Sequence, residues 1–403
     1  MTRRNRLLTI TSIYFALLFM AGGAYFAYIG IYFTNMKLNT AQIGIISSVG
    51  LLIGMLAQPL WGTISDRSKN KNFLLNIMLF VAAAAVWLVP AAGDSFWFLI
   101  IAVSVMNFFG NGIQPMGDAI TLEIAKREGF KFSNVRLVGS IGFAVMAGVA
   151  GKILVIDLRL IFVMFSVLRV LAGIVSFFIP KIEGHKKLKE EKDSFFDLFK
   201  DKKLNVIYIY AFFLSITAGF FNSFHSIYSK QAGISLELIG LGVMIGSISQ
   251  FPFMFFFDRL YNKFGLVKIL IITGITYVVR WFLYYQCLNS YTILFFWVLH
   301  GLMFIVLYLC LGDYVSINVP KRLKTRGQVM NYIVLLGASA ILGGLFGGFL
   351  SKIFSLKLTF LFCSGLSLVS LIGFIIAVKI LPEFKHIKNK LLKEDLPIAD
   401  EEL

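Results

Sequence analysis

The chain has 403 residues, of which 58% are hydrophobic and only 15% charged, and it carries a formal net charge of +17. No ordinary soluble domain is this apolar, so a water-soluble enzyme or binding module is excluded and a membrane protein is the class that fits. Nucleic acid is not the expected partner of the basic excess, because the positive charge is distributed by loop rather than gathered into one patch.

A helix of about 20 residues crosses a hydrocarbon core of roughly 30 Å, and apolar runs of that length recur from end to end. In the first half they are Leu7–Phe33, Gln42–Ile64, Phe73–Ala92, Ser95–Ala125, Val135–Ile156 and Arg159–Pro180. A charged segment at 181–203 follows, and then Leu204–Ser229, Ile234–Phe257, Leu266–Cys287, Tyr291–Asn318, Gln328–Ile353 and Leu358–Leu381. The bilayer core offers no water to backbone N–H and C=O groups, so runs this long are helices and not barrel strands. The expected fold class is all-α integral membrane, with twelve transmembrane helices in two pseudo-symmetric six-helix bundles. The expected divisions are an N-terminal bundle at 1–180, a cytoplasmic linker at 181–203, a C-terminal bundle at 204–381 and a cytoplasmic tail at 382–403.

The opening MTRRNR reads as a cytoplasmic start and not a secretory signal, because the run behind it is too long for a signal-peptide core and lacks a small-residue cleavage site. Thirty of the 38 Lys and Arg residues, counting Arg136, fall on the side of both termini. The other side has Lys37, Lys152, Arg159, Lys230, Lys352 and Lys357, while Arg169 and Arg280 lie within apolar runs. This asymmetry predicts cytoplasmic termini in a multi-pass protein of the cell (inner or plasma) membrane, its basic surplus facing anionic lipid headgroups. Cys287, Cys310 and Cys363 have neither pairing nor metal-ligand spacing and read as packing residues. The chain has no Walker loop, zinc motif or nucleophile elbow, so no enzyme activity, metal or cofactor is expected.

The loop after the second run reads WGTISDRSKNK and that after the eighth FFFDRLYNKFG, which puts Asp66–Arg67 and Asp258–Arg259 at corresponding corners of two halves. Such a repeat predicts charged residues that pair across the bundle interface and latch the cytoplasmic side shut, as against a merely solvated turn. Glycines in LGGLFGGFL and at Gly50 and Gly54 allow close helix approach, and Pro59, Pro115 and Pro252 mark kinks.

Ionisable side chains at bilayer depth are functional candidates by default. They are Asp118, Arg136, Arg169, His225, Arg280, His300 and Asp313. Asp118 and Arg136 each lie nine residues from Arg127, the midpoint of their hairpin, which sets them level with each other roughly 10 Å into the membrane. A carboxylate and a guanidinium at one depth neutralise each other and keep spare hydrogen-bonding capacity for a solute; a purely structural buried pair is the alternative. Arg280 and His300 are likewise level, each about ten residues from the outer turn at Asn289–Ser290. Asn222 and His225, three apart, share a helix face and form a polar patch. Asp313 points away from the face of His300 and reads as an end charge near Arg322 or Arg326, while Arg169 has no evident partner.

These residues resemble the major facilitator superfamily, and within it the proton-coupled group that includes lactose, phenylpropionate and nucleoside permeases. The resemblance spans nearly the whole chain. It is carried by GGAYFAYIGIYF in the first run, QPLWGTISDR in the second, and the cytoplasmic signature residues Gly62, Asp66, Arg67 and Lys71. Lys69 and Asn70 stand where that signature has glycine and arginine. The stretch MGDAITLEIAKREGFKFSNVRLVGS aligns without gaps on the group's sugar-binding hairpin. The resemblance implies the major facilitator fold, with Asp118 and Arg136 as the sugar-binding acid and arginine. Ser140 then falls on a substrate-protectable position, Phe143 on a ring-stacking tryptophan, and Gln250 on a sugar-contacting asparagine. Arg280 and His300 keep the group's arginine-to-histidine separation. The group's proton-carrying glutamate is Met303 here, its helix-eight glutamate is Ser247, and its helix-seven acids are Asn222 and His225.

The expected function is therefore secondary active transport, by proton-coupled symport of a small polar organic solute such as a sugar, oligosaccharide or nucleoside, through alternating access in a monomer. Asp118, the only acid at site depth, and His300 are the candidates for proton coupling. The alternatives are symport of an aromatic or other small carboxylate, drug or metabolite efflux, and facilitated diffusion, given the missing relay glutamate. A non-transporting receptor would need a signalling module, and the longest loop is the 23-residue segment at 181–203.

Overall fold

The computed structural model describes residues 2–183, 195–286, 290–320 and 323–384. Helices long and apolar enough to cross a membrane account for most of them. In chain order they are α1 (Arg3–Asn35), α2 (Thr40–Arg67), α3 (Lys71–Ala91), α4 (Phe96–Glu128), α5 (Phe132–Ile153) and the shorter α6 (Leu160–Ser176). The second set opens with α7 (Lys202–Gln231). Leu236–Gln286 is one helical stretch in which Gly265, at φ 73° and ψ 161°, reverses the chain, so that α8 occupies 236–264 and α9 266–286. Only glycine adopts that backbone without strain. The last three are α10 (Ser290–Asn318), α11 (Arg326–Ile353) and α12 (Leu356–Ile380).

Local chemistry sets the ends. Orphan N–H groups of the first turns are taken by the side chains of Thr2, Asn39, Asn70, Ser95, Asp201, Ser235 and Ser355. The cap at Thr2 carries α1 a turn beyond the apolar run, back to Arg3. The sixth helix ends at Ser176, short of the expected Pro180.

Within the first six helices, α1 packs on α5 and α6, α3 packs on α4 and α6, and α2 packs on α4. Among the last six, α7 packs on α11 and α12, the 250–286 stretch on α10 and α12, and α8 on α10. The second pattern repeats the first six helices later. The 29–35 end of α1 touches α7 across the halves, and two larger interfaces join them, α2 with α11 and α5 with α8, which are related by that repeat.

Both interfaces are tightest at the membrane face opposite the termini. A Cβ on Gly44 would lie 2.4 Å from the Gly344 carbonyl oxygen, and one on Gly240 would lie 2.4 Å from that of Ala147. The Thr40 hydroxyl donates to the Gly348 carbonyl (3.0 Å) and that of Ser48 to Ile341 (2.9 Å). Farther along α2, Gln58 Nε2 donates to the Tyr332 hydroxyl at 3.3 Å. Its last turn, from Gly62 to Arg67, makes no cross-bundle hydrogen bond or ion pair among the described residues, and nothing lies within 4 Å of where a Gly62 Cβ would be. Asp258 and Arg259 are exposed, and Arg259 lies over the Phe256 ring at 5.6 Å. None of the four latch residues, Asp66, Arg67, Asp258 and Arg259, pairs with another in this state.

Candidate functional site

Helix α4 ends at Gly129, whose φ of 73° turns the chain so that α5 runs back beside it. That hairpin sets two side chains level: Arg136 Nη1 donates to Asp118 Oδ1 at 3.2 Å and to Oδ2 at 3.4 Å, with the two side chains 35% and 32% exposed. The Arg136 guanidinium also lies 5.0 Å from the Phe19 ring of α1. Ser140, one turn on, donates its hydroxyl to the Arg136 carbonyl at 3.2 Å. Glu123 pairs with Arg127 nearer the hairpin end.

Between the two halves lies a cavity of about 360 Å³. The first half contributes Phe19, Phe26, Ala27, Ser140 and Phe143; the second contributes Asn222, His225, Val243, Ser247, Gln250, Phe251, Met254, Trp297 and His300. Six of the sequence-predicted residues, Ser140, Phe143, Asn222, His225, Gln250 and His300, thus border one space. Asp118, Arg136 and Arg280 do not line it. The first two sit beside it behind Phe19, and Arg280 sits behind His300.

Arg280 has no exposed surface. Its Nη1 donates to His300 Nδ1 at 3.2 Å and to Met303 Sδ at 3.4 Å. The ring centroids of Phe221, Trp281, Trp297 and Tyr284 lie 4.5, 5.2, 5.4 and 5.5 Å from its guanidinium carbon. Cation–π attraction of about 0.5–2 kcal/mol per favourable ring is what the protein offers this buried charge, and no carboxylate pairs with it among the described residues. A guanidinium can only donate, so His300 Nδ1 accepts, and the ring is a neutral imidazole with its proton on Nε2. His225, 6% exposed, stacks on Phe221 at 5.1 Å and meets Trp297 edge-on at 5.2 Å.

Trp297 lines the cavity and, like Phe19, Phe26, Val243, Phe251 and Met254, was not among the residues singled out in the sequence. Its indole fills two gaps in α8: a Cβ on Gly242 would lie 2.5 Å from Nε1, and one on Gly246 2.4 Å from Cε3. The signal was available in Gly242 and Gly246, one turn apart, and in Trp297, one turn before His300.

Arg169 of α6 is buried with its guanidinium 5.0 Å from the Phe165 ring. Tyr14 of α1 lies within electrostatic reach of both Arg169 and Asp118, and a Cβ on Gly117 would meet its hydroxyl at 2.7 Å. Asp313 is within electrostatic reach of Asp258, and Arg322 lies outside the described residues. Cys310 and Cys363 are buried free thiols, and Cys287 also lies outside the described residues. Among the described residues no three His, Cys, Asp or Glu side chains converge as metal ligands.

The MFS_1 like family matches residues 7–362 of this chain. The maltose permease of Geobacillus stearothermophilus is 25% identical over 373 residues, covering 92% of this chain and 94% of the permease. A probable 3-phenylpropionic acid transporter of Escherichia coli is 22% identical, covering 82% and 88%. Among solved structures, the nucleoside transporter NupG superposes with a TM-score of 0.83 at 17% identity, covering 93% of this chain and all of that one. At that identity the superposition shows the fold.

Proposed function

Since the chain belongs to the MFS_1 like family, we propose that it is a secondary transporter moving a small polar organic solute of sugar or nucleoside size, together with a proton, by alternating access. The observation that carries this reading is the 360 Å³ cavity between two repeat-related halves, beneath glycine-mediated contacts of α2 with α11 and α5 with α8 at one membrane face. Ligand sites of repeat-built transporters lie at such an interface near the bilayer midplane. The excess of Lys and Arg on the side of the termini supports a cytoplasmic placement of that side, and with it an inward-facing state.

In this reading residues 1–180 and 204–381 move as two bodies. The solute is held by the lining residues Ser140, Phe143, Asn222, His225, Gln250 and His300, with Asp118–Arg136 at the edge of the cavity and Arg280 behind His300. Asp118 carries the proton, because it is the only acid at site depth, while His300 presents Nε2–H to the solute. Gly62, Asp66, Arg67, Asp258 and Arg259 form the latch that closes the cytoplasmic side in the opposite state. The protein works as a monomer.

The test is uptake by proteoliposomes. An inward proton gradient is expected to drive accumulation of a solute of this size; equilibration indifferent to the gradient would reduce the function to facilitated diffusion, and no uptake of any small solute overturns the reading.

A further inference from the structure

Arg280 is a cation without an anion. It has no exposed surface, no carboxylate pairs with it among the described residues, and the position one turn from His300 holds Met303, whose sulfur accepts weakly and carries no charge. Four rings attract the guanidinium without cancelling it. In a desolvated wall a unit charge reaches several ångströms with little screening. The one acid at this depth, Asp118, is committed to Arg136 at 3.2 Å, and none of the residues lining the cavity is acidic. His225, which lines the same wall, leaves Nδ1 without a partner.

We infer that the solute carries a carboxylate, which docks on His300 and His225 and supplies the counter-charge to Arg280. This rests on the transporter reading and names the substrate class within it. The Arg280–His300 bond leaves the imidazole Nε2–H as the donor, and the guanidinium behind it makes that donor stronger toward an anion than toward a hydroxyl. Sugar hydroxyls, by contrast, need strong acceptors as well as donors, and the lining offers no carboxylate to take their protons. The body of the solute, a sugar or aromatic ring, lies against Phe143 and Phe26 on the opposite side.

The experiment uses matched acid and neutral solutes on the full chain in proteoliposomes: D-glucuronate with D-glucose, 3-phenylpropionate with 3-phenylpropanol, and orotidine with uridine. The expected result is that in at least one pair the acid is taken up about tenfold or more faster than its neutral partner, a factor equal to about 1.4 kcal/mol. Arg280→Gln should bring that preference to near parity and Arg280→Lys, which keeps the charge, should retain much of it; His300→Phe should lose it and guards against a misfolded Arg280→Gln. Uptake of neutral members with the acids ignored overturns the inference and leaves the transporter reading standing. Uptake of no member of any pair overturns both. A preference that survives both Arg280→Gln and His300→Phe overturns the assignment of the anion to this wall.

Discussion

Arg280 donates from Nη1 to Nδ1 of His300 across 3.2 Å, and four aromatic rings close around the same guanidinium. The pair is thus a buried charge held by rings on several sides and an imidazole on another. Burying an ion without its partner is costly, and replacing such a group by an apolar one of similar length is often neutral or stabilising. The proposed docking of an anionic solute on this wall gives the charge a role that offsets the cost.

Arg280→Met is therefore expected to leave the Tm unchanged or raise it, by the equivalent of about 1–4 kcal/mol, while bringing uptake of an acid solute down to that of its neutral partner. Thermal unfolding in detergent and transport in proteoliposomes measure the two sides separately. A fall in Tm of several degrees would show that the ring box needs the cation for its own packing.

Asp118→Asn keeps an oxygen for Arg136 and removes the charge. Both side chains of this pair are about a third exposed, so solvent screens the loss, and a destabilisation of about 1–2 kcal/mol is expected. Gradient-driven accumulation should vanish while exchange of labelled for unlabelled solute across the membrane continues. Accumulation at the original level would remove Asp118 from the proton pathway.

Depth along a helix was legible in the sequence; rotation about its axis was not. Asp118 and Arg136 meet because each lies nine residues from the middle of one hairpin, and Arg280 meets His300 for the same reason at the other face. Counting residues at about 1.5 Å each is enough for that. Which side of a helix faces the cavity depends on an apolar stripe, and helices that are hydrophobic all round carry no such stripe. Hence Arg280 reads as a site residue on the same footing as His300, although one is fully buried behind the other, and nothing sets Trp297 apart from the other aromatics of its run. Arg169 shows the same limit: its neighbours Phe165 and Tyr14 come from its own helix and from α1, and only the packing of α1 on α6 brings the tyrosine to it.

Trp297 and the α8 glycines form a lock that can be tested by pairing substitutions. Gly246→Ala places a methyl 2.4 Å from the indole, which has to shift, at an expected cost of about 1–3 kcal/mol. Trp297→Phe in the same chain makes room, so the double variant should lose less than the sum of the singles. Additive losses in Tm would mean that the glycine and the tryptophan do not act on each other.

At the face opposite the termini the glycines of α2 and α8 lie against the backbone of α11 and α5, and in the proposed alternating-access cycle these contacts part when that face opens. A side chain on Gly44 has to displace the Gly344 carbonyl oxygen, 2.4 Å from its Cβ, and the Gly348 Cα at 3.3 Å; one on Gly240 has to displace the Tyr28 hydroxyl as well as the Ala147 carbonyl oxygen. The carbonyl oxygen met at each position belongs to a helix backbone and cannot rotate away as a flexible side chain would. Leucine at either position therefore raises the energy of the closed state without touching a state in which α2 parts from α11 and α5 from α8. Each 1.4 kcal/mol of clash moves the population ratio about tenfold. Gly44→Leu and Gly240→Leu are expected to open the cavity to the face opposite the termini and to act more strongly together than singly. A cysteine at Asn222, which lines the cavity, reports this through its reaction with a membrane-impermeant maleimide added from that face. Labelling should rise in the order wild type, single variants, double variant, and labelling that stays flat across the series would mean that these glycine contacts do not gate the cavity.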